Sequence, residues 1–238
     1  MKTFNRTGVF VVVVFAAGIA IAAPAKKERE EPLPPPTAEQ FQTAENNLKE
    51  IALAFHNFHD TNNAMPSNLY SKDKKPLLSW RVQILPFIEE LPLYQQFKLD
   101  EPWDSENNKK IVEKMPKLFA PVRGKADPGM TFYQGFSGSN GWCKPGAKFT
   151  SFLDGLSNTF FVAEAAKPVI WSKPDDLEFN GKDVPALGGM FDGKFHAAMG
   201  DGSVGLFKKG LDKETLSRLI DPKDGNPVDV NSAKEGAK

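Results

Sequence analysis

The sequence predicts an α+β domain, and three observations lead to that class. Apolar residues recur at steps of three and four from Phe41 to Phe58, the spacing of one helix face. Beyond residue 118 the periodicity shortens toward two and turn residues multiply, as in short antiparallel strands. Near the C-terminus, Asp201-Gly202 separates two strand-like runs, which is the signature of a hairpin.

The elements follow in chain order. Lys2 and Arg6 precede an apolar run from Val9 to Ala23, and Ala20, Ala22, Ala23 and Ala25 supply small residues for a signal peptidase. Residues 1–25 therefore read as an export signal cleaved after Ala22 or Ala25, or as an uncleaved membrane anchor. The run is shorter than the roughly 20 residues a helix needs to cross the hydrocarbon core, which favours cleavage. Residues 26–36 (KKEREEPLPPP) form a charged and proline-rich linker. A single domain is expected over 37–222, with a flexible tail over 223–238.

Thr37 and Gln40 have capping-box spacing, and behind them Phe41, Ala44, Leu48, Ile51, Phe55 and Phe58 line one long amphipathic helix that frays near Thr61. A second helical stretch opens at Ser79 and carries Trp80, Ile84, Leu85 and Ile88, interrupted by Pro86. Leu91–Phe97 reads as a short helix with Pro92 in its first turn, and Asp104 or Ser105 caps another that ends before Pro116. The strands expected are Thr131–Phe136, Thr159–Ala165, Lys194–Gly200 and Ser203–Lys208. Asp201-Gly202 suits a type I′ turn between the last two, and Asp212 caps a helix through Ile220.

Composition excludes several function classes. Thirty Lys plus Arg balance thirty Asp plus Glu, so no basic excess exists to neutralise a phosphate backbone, and nucleic acid is not an expected partner. Cys143, the single cysteine, forms no intramolecular disulfide, and three histidines leave little material for a zinc site.

Five segments occur in a fixed order: NNLKEIALAFHNFHD at Asn46–Asp60, SWRVQILPFIEELPLYQQFKLDEPWDSENN at Ser79–Asn108, DGLSNTFFVAE at Asp154–Glu164, WSKPDDL at Trp171–Leu177 and GDGSV at Gly200–Val204. With these segments the chain resembles a large bacterial family of unknown function, described as pseudopilin-like transporters and bearing an older solute-binding label. The resemblance implies a pilin-like architecture, a long N-terminal helix packed on an antiparallel sheet with additional short helices. It also implies a location at the cell envelope and envelope or pseudopilin-like proteins as partners. Three departures stand out. Val13 occupies the position of the prepilin glutamate, which weighs against assembly into a filament. Phe191 stands where the family signature has a histidine. Ala44 and Ala120 replace residues that are often cysteines in the family, which implies a disulfide in relatives between the helix and the segment entering the sheet.

Candidate chemistry falls at a few positions. His56 and His59, three apart and followed by Asp60, could share a metal, or could pack and cap at a helix end. Asp154, Ser157 and Asn158, with Asp201, offer oxygens to calcium, suggested also by resemblance to major pseudopilins; the alternative is a turn bonding its own backbone. No other cofactor is expected. Gly200–Gly205 matches G-x-G-x-x-G, but strand-like residues flank it, so Asp201 and Gly202 read as a hairpin turn. Ser137 or Ser139 with His196 is the only arrangement suggesting a hydrolase. Glu164 lies in an apolar strand and demands a partner, with Arg81 and Lys173 the candidates. Among Trp80, Trp103, Trp142 and Trp171, Trp142 and Trp171 are candidate contacts for a carbohydrate or peptide, and Trp142 is the one expected to be exposed.

The expected function is a non-enzymatic, exported, pseudopilin-like structural or interaction module, touching the membrane only through an uncleaved N-terminus. The alternative is an extracytoplasmic solute- or glycan-binding protein.

Overall fold

In the computed structural model, residues 33–226 and 228–236 are described; the expected signal and most of the linker lie outside them. Contacts group Pro34–Lys238 into one unit. Helix α1 spans Ala38–Asn62. Thr37 Oγ1 accepts from Gln40 N at 3.2 Å and Gln40 Oε1 accepts from Thr37 N at 3.0 Å, completing the expected capping box. Asn63 ends the helix in the left-handed region at φ 50°. Ala44, Leu48, Ile51, Ala52, Ala54 and Phe55 are its buried face.

The next segment is a series of single turns. Ser79 caps α2 (Trp80–Gln83), and a 3₁₀ turn at Leu85–Phe87 follows, with Pro86 unable to extend the α-helical hydrogen bonding. Helix α3 covers Leu91–Tyr94, shorter than the 91–97 expected. Ser105, not Asp104, caps α4 (Glu106–Lys109), and the chain then tightens into a 3₁₀ turn at Val112–Lys114. The reason lies in Asn108: its buried amide donates to Lys98 O, Glu101 O and Pro102 O, and such side chain to backbone bonding competes with continued helix.

Strands β1 (Met130–Gln134), β3 (Phe160–Ile170), β5 (Phe195–Met199) and β6 (Val204–Phe207) form an antiparallel sheet in the order β1-β3-β5-β6. Two short strands, β2 (Phe136–Ser137) and β4 (Leu177–Glu178), pair in parallel beside it. The expected Thr131–Phe136 strand is thus split at Gly135, whose N–H donates to Asp176 at 2.9 Å. Strand β3 runs five residues past its expected end. It bulges between the Tyr133–Glu164 and Thr131–Val169 pairs, a break that accommodates Pro168 before pairing with β1 resumes.

The β5–β6 hairpin stands where expected with a different turn. Ala198 faces Val204, Met199 N donates to Ser203 O, and Gly202 N donates to Met199 O. Of Asp201 and Gly202, only Gly202 has positive φ, at 87°. A type I′ turn needs both, so the connection is a three-residue loop in which glycine takes the left-handed position. Asp212 caps α5 (Lys213–Ile220), its carboxylate accepting from Thr215 N at 2.9 Å.

The described residues of the expected tail carry structure. Residues 228–236 include α6 (Val230–Ala233), Ala233 is buried, and Lys234 bridges Phe207 in antiparallel register. Helix α1 lies across β5, β6 and β3, and Phe55 packs edge-on to Trp80 and Trp142. Arg123 ties Pro34, just ahead of α1, to the loop before β5, donating to Pro34 O at 2.6 Å and to Asp192 at 3.2 Å.

Candidate functional site

Among the described residues, two centres hold the most deeply buried ionisable side chains, while Arg123 and Asp221 are buried elsewhere. In the first, Asp176, from the WSKPDDL segment, receives four donors on a side chain with no solvent exposure. Trp80 Nε1 and Arg81 Nη2 reach its Oδ1 at 3.0 Å, Gly135 N reaches the same oxygen at 2.9 Å, and Asn68 Nδ2 reaches Oδ2 at 2.8 Å. Arg81 is fully buried and also donates to Tyr133 O at 2.8 Å and Ser79 Oγ at 2.6 Å. Burial pulls the Arg81 pKa down, and the adjacent Asp176 carboxylate opposes that pull. A planar guanidinium with its donors directed at three acceptors, beside a saturated carboxylate, makes a cross-link among α2, β1 and the segment before β4.

The second centre is Glu164. Its partner is neither Arg81 nor Lys173, as expected, but His196, one step along β3 and β5 from the Ala163–Ala197 pair. The two carboxylate oxygens lie 3.1 and 3.2 Å from His196 Nδ1, and Oε2 also accepts from His196 N at 2.8 Å. Arg81 is committed to Asp176, and Lys173 Nζ to Asp175 at 2.6 Å. Burial raises the Glu164 pKa, with the His196 contacts acting in the opposite direction. Tyr133, opposite Glu164 in the β1–β3 register, has its phenol pKa raised by burial and by that carboxylate. Its oxygen accepts from Asn47 Nδ2 of α1 at 3.3 Å. Phe191 and Phe41 close the pair off, with centroids 5.0 and 5.8 Å from the His196 ring.

The remaining candidates lie apart from both centres. His56 Nε2 is 3.0 Å from Gly200 O, and His59 stacks on Phe149 at 3.9 Å, so the two imidazoles grip a phenyl ring and a hairpin carbonyl. Among the described residues, no group of three or more His, Cys, Asp or Glu is placed to hold a metal ion. Asp154 turns its carboxylate onto Asp224 N and Gly225 N at 2.7 and 2.9 Å, while Asn158 Nδ2 donates to Asp154 O. This is the backbone-bonding alternative for that loop. Asp201 Oδ1 accepts from Ser203 N and Ser203 Oγ within the hairpin.

Trp142 is buried at 1% exposure, contrary to expectation: its indole N–H donates to Phe161 O at 2.9 Å and its ring joins the Phe55 cluster. Trp171 is equally buried and donates to Val112 O. Neither presents a face to a ligand. Ser137 Oγ faces Leu177 O and Ser139 Oγ donates to Asn140, and no hydrogen bond among the described residues joins either serine to His196. Cys143 is buried, and burial pushes its thiol pKa well up, the condition of an unreactive cysteine.

Among the surface cavities of the described residues, three include residues singled out in the sequence. One of about 670 Å³ lies between α1 and the 114–122 segment, with Thr43, Asn47 and Ala120 in its wall. A second, of about 420 Å³, opens beside the loop carrying Trp142 and is lined by Tyr70, Lys74, Ser137, Cys143, Lys144 and Pro145. A smaller polar one, about 330 Å³, gathers Ser157, Asn158, Asp201 and Ser203, but Asp154 is not in its lining.

Asp176, and His196 as the partner of Glu164, are what sequence reasoning missed. A paired Asp175-Asp176 in the same ordered segments as Arg81, and a lone histidine in the apolar FHAAM strand, were the available signals. No curated protein and no solved structure matches the chain. Residues 43–122, about a third of the chain, match the family model described as a protein of unknown function (DUF1559), so the segment that bears most of α1 and Arg81 is similar to that family.

Proposed function

We propose that this chain is a non-enzymatic, exported module of the cell envelope, pseudopilin-like in build, that acts through contacts with other envelope proteins. The observation that carries this reading is the commitment of its ionisable candidates. Arg81, Asp176, Glu164 and His196 are sealed inside as cross-links between elements, the arrangement of a scaffold. Catalytic acids and bases, by contrast, need a substrate within hydrogen-bond reach. The long capped helix laid across an antiparallel sheet supports the pilin-like build, and the basic-then-apolar N-terminus of the sequence supports export.

Cell fractionation with N-terminal sequencing tests it. A mature start at Ala23 or Lys26 fits an exported soluble form, a start at Val9 fits prepilin-type processing, and an intact N-terminus in the membrane fits an anchor. Recovery of the intact chain from the cytoplasm would overturn the export half of the proposal. The solute-binding alternative has one observation in its favour, the cavity of about 420 Å³ beside the Trp142 loop, a size that suits a small ligand. A thermal shift with a member of a glycan and metabolite panel, lost on Lys74→Glu with Lys144→Glu, is its expected signature. No shift across the panel would remove it.

A further inference from the structure

Two loops each bring one lysine to the cavity of about 420 Å³ beside the Trp142 loop. Lys74 comes from the turn at 71–75 and Lys144 from the segment 143–147. Both are pinned by their own backbone. Lys74 N donates to Ser71 O and Ser71 N to Lys75 O, each at 2.9 Å, while Cys143 N donates to Phe136 O at 2.9 Å and Ala147 N to Lys144 O at 3.3 Å. The mouth is therefore formed before a ligand arrives, as small-molecule sites usually are. The wall behind it is equally fixed. The Tyr70 phenol and the Cys143 thiol lie against Asn68, whose Oδ1 accepts from Trp80 N at 3.0 Å and whose Nδ2 donates to Asp176 at 2.8 Å.

The charge at this mouth is one-sided. Among the described residues, neither the Lys74 nor the Lys144 ammonium has an ion pair or a side-chain hydrogen bond, whereas Lys173 is paired with Asp175. Asp73, next to Lys74 in the chain, and Glu178, opposite Ser137 in register, are both outside the lining. Two like charges on one cavity repel each other, and an anion between them is attracted by both. Lys74 also takes the left-handed region at φ 60°, so the turn keeps a long cation where glycine or asparagine fits the backbone more easily. Tyr70, 43% exposed, and Pro145 supply apolar surface beside these charges. Point charges with no arginine fork in the lining, set against an apolar wall, suit a carboxylate on an apolar body better than a bare phosphate.

Resting on the solute-binding alternative for this cavity, we propose that it takes a small aromatic carboxylic acid, the carboxylate between the Lys74 and Lys144 ammoniums and the ring against Tyr70 and Pro145. The Ser137 hydroxyl completes the polar lining.

The test titrates the full chain with naphthoate, with the neutral naphthamide and with inorganic phosphate, followed by calorimetry and by the backbone amide shifts of the two loops. The expected result is saturable binding of naphthoate, about tenfold or more tighter than either of the others and weakening as salt rises, with shifts centred on 70–75 and 143–147. Lys74→Asn with Lys144→Gln should lower the naphthoate affinity about tenfold or more. Asparagine suits the left-handed position, so the melting temperature of the unliganded variant should not fall, which separates lost binding from lost folding. Unchanged affinity in that variant would overturn the proposal, and phosphate binding as tightly as naphthoate would overturn its aromatic half. Should the variant not fold, naphthoate against naphthamide in the unaltered chain decides. Naphthamide as tight as naphthoate, or a neutral panel solute bound where naphthoate is not, would overturn the acid class while keeping the solute-binding reading. No binding by any probe or panel solute removes both.

Discussion

At Asp176, four donors converge on one carboxylate that has no contact with water. Removing it strands the Arg81 guanidinium in the interior. Asp176→Ala is therefore expected to cost about 3 to 5 kcal/mol, the range for breaking a buried ion pair on one side. Urea unfolding should show a lower midpoint at unchanged slope; a loss below about 1 kcal/mol would mean water solvates the site. Glu164 makes a prediction of opposite character. Its pKa is raised above the ordinary 4.5 by burial, so the folded state holds a proton that the unfolded state has released. That contribution to stability is full below about pH 4.5 and fades as pH climbs through the raised value, because the carboxylate then has to bear its charge in a buried pocket. Glu164→Gln should flatten this alkaline-side decline, measured as unfolding free energy against pH. A decline of the same steepness in the variant would assign it to other groups.

At the scale of elements, α1 and the β5–β6 hairpin were legible because their signals are local. A capping box, a 3.6-residue period and a glycine-bearing turn lie within a few residues of the structure they specify. The far half of β3 was not, since Pro168 reads as a stop and only the facing β1 strand reveals that pairing resumes beyond it. Glu164 demanded a partner from sequence alone, but choosing His196 over Arg81 depends on a register between strands 32 residues apart in the chain. Trp142 misled because a glycine-rich loop suggests exposure, while Phe161 O accepts its indole N–H in the interior and Phe136 O accepts the N–H of the next residue, Cys143. One element-level prediction concerns α1 and the 3₁₀ turn at Lys117–Phe119, which pack together with Ala44 buried on one and Ala120 capping the other. An Ala44→Cys, Ala120→Cys variant made in an oxidising compartment should form a disulfide and gain about 2 to 4 kcal/mol. Free thiols after export would place the two Cα atoms beyond the roughly 7 Å a disulfide tolerates.

Across the whole molecule, the polar cross-links join segments that are distant in sequence: Arg81 to Asp176, Asn47 to Tyr133, Asn140 to Asp221, Asp154 to Gly225. The 43–122 segment that matches a family model thus contains Arg81 but not its counterion. A fragment covering 33–128 is expected to lack the sharp near-ultraviolet signal of packed tryptophans and to unfold without a cooperative transition. A cooperative melt from that fragment would show that the segment is a domain in its own right.

Arg123 fastens Pro34, just ahead of α1, to the loop holding Met190 and Asp192. Tension entering the folded unit at Pro34 therefore meets this clasp before it reaches the first turn of the helix. Arg123 works as a strain relief, routing the load into a loop next to β5 and sparing the Thr37 cap from being peeled away first.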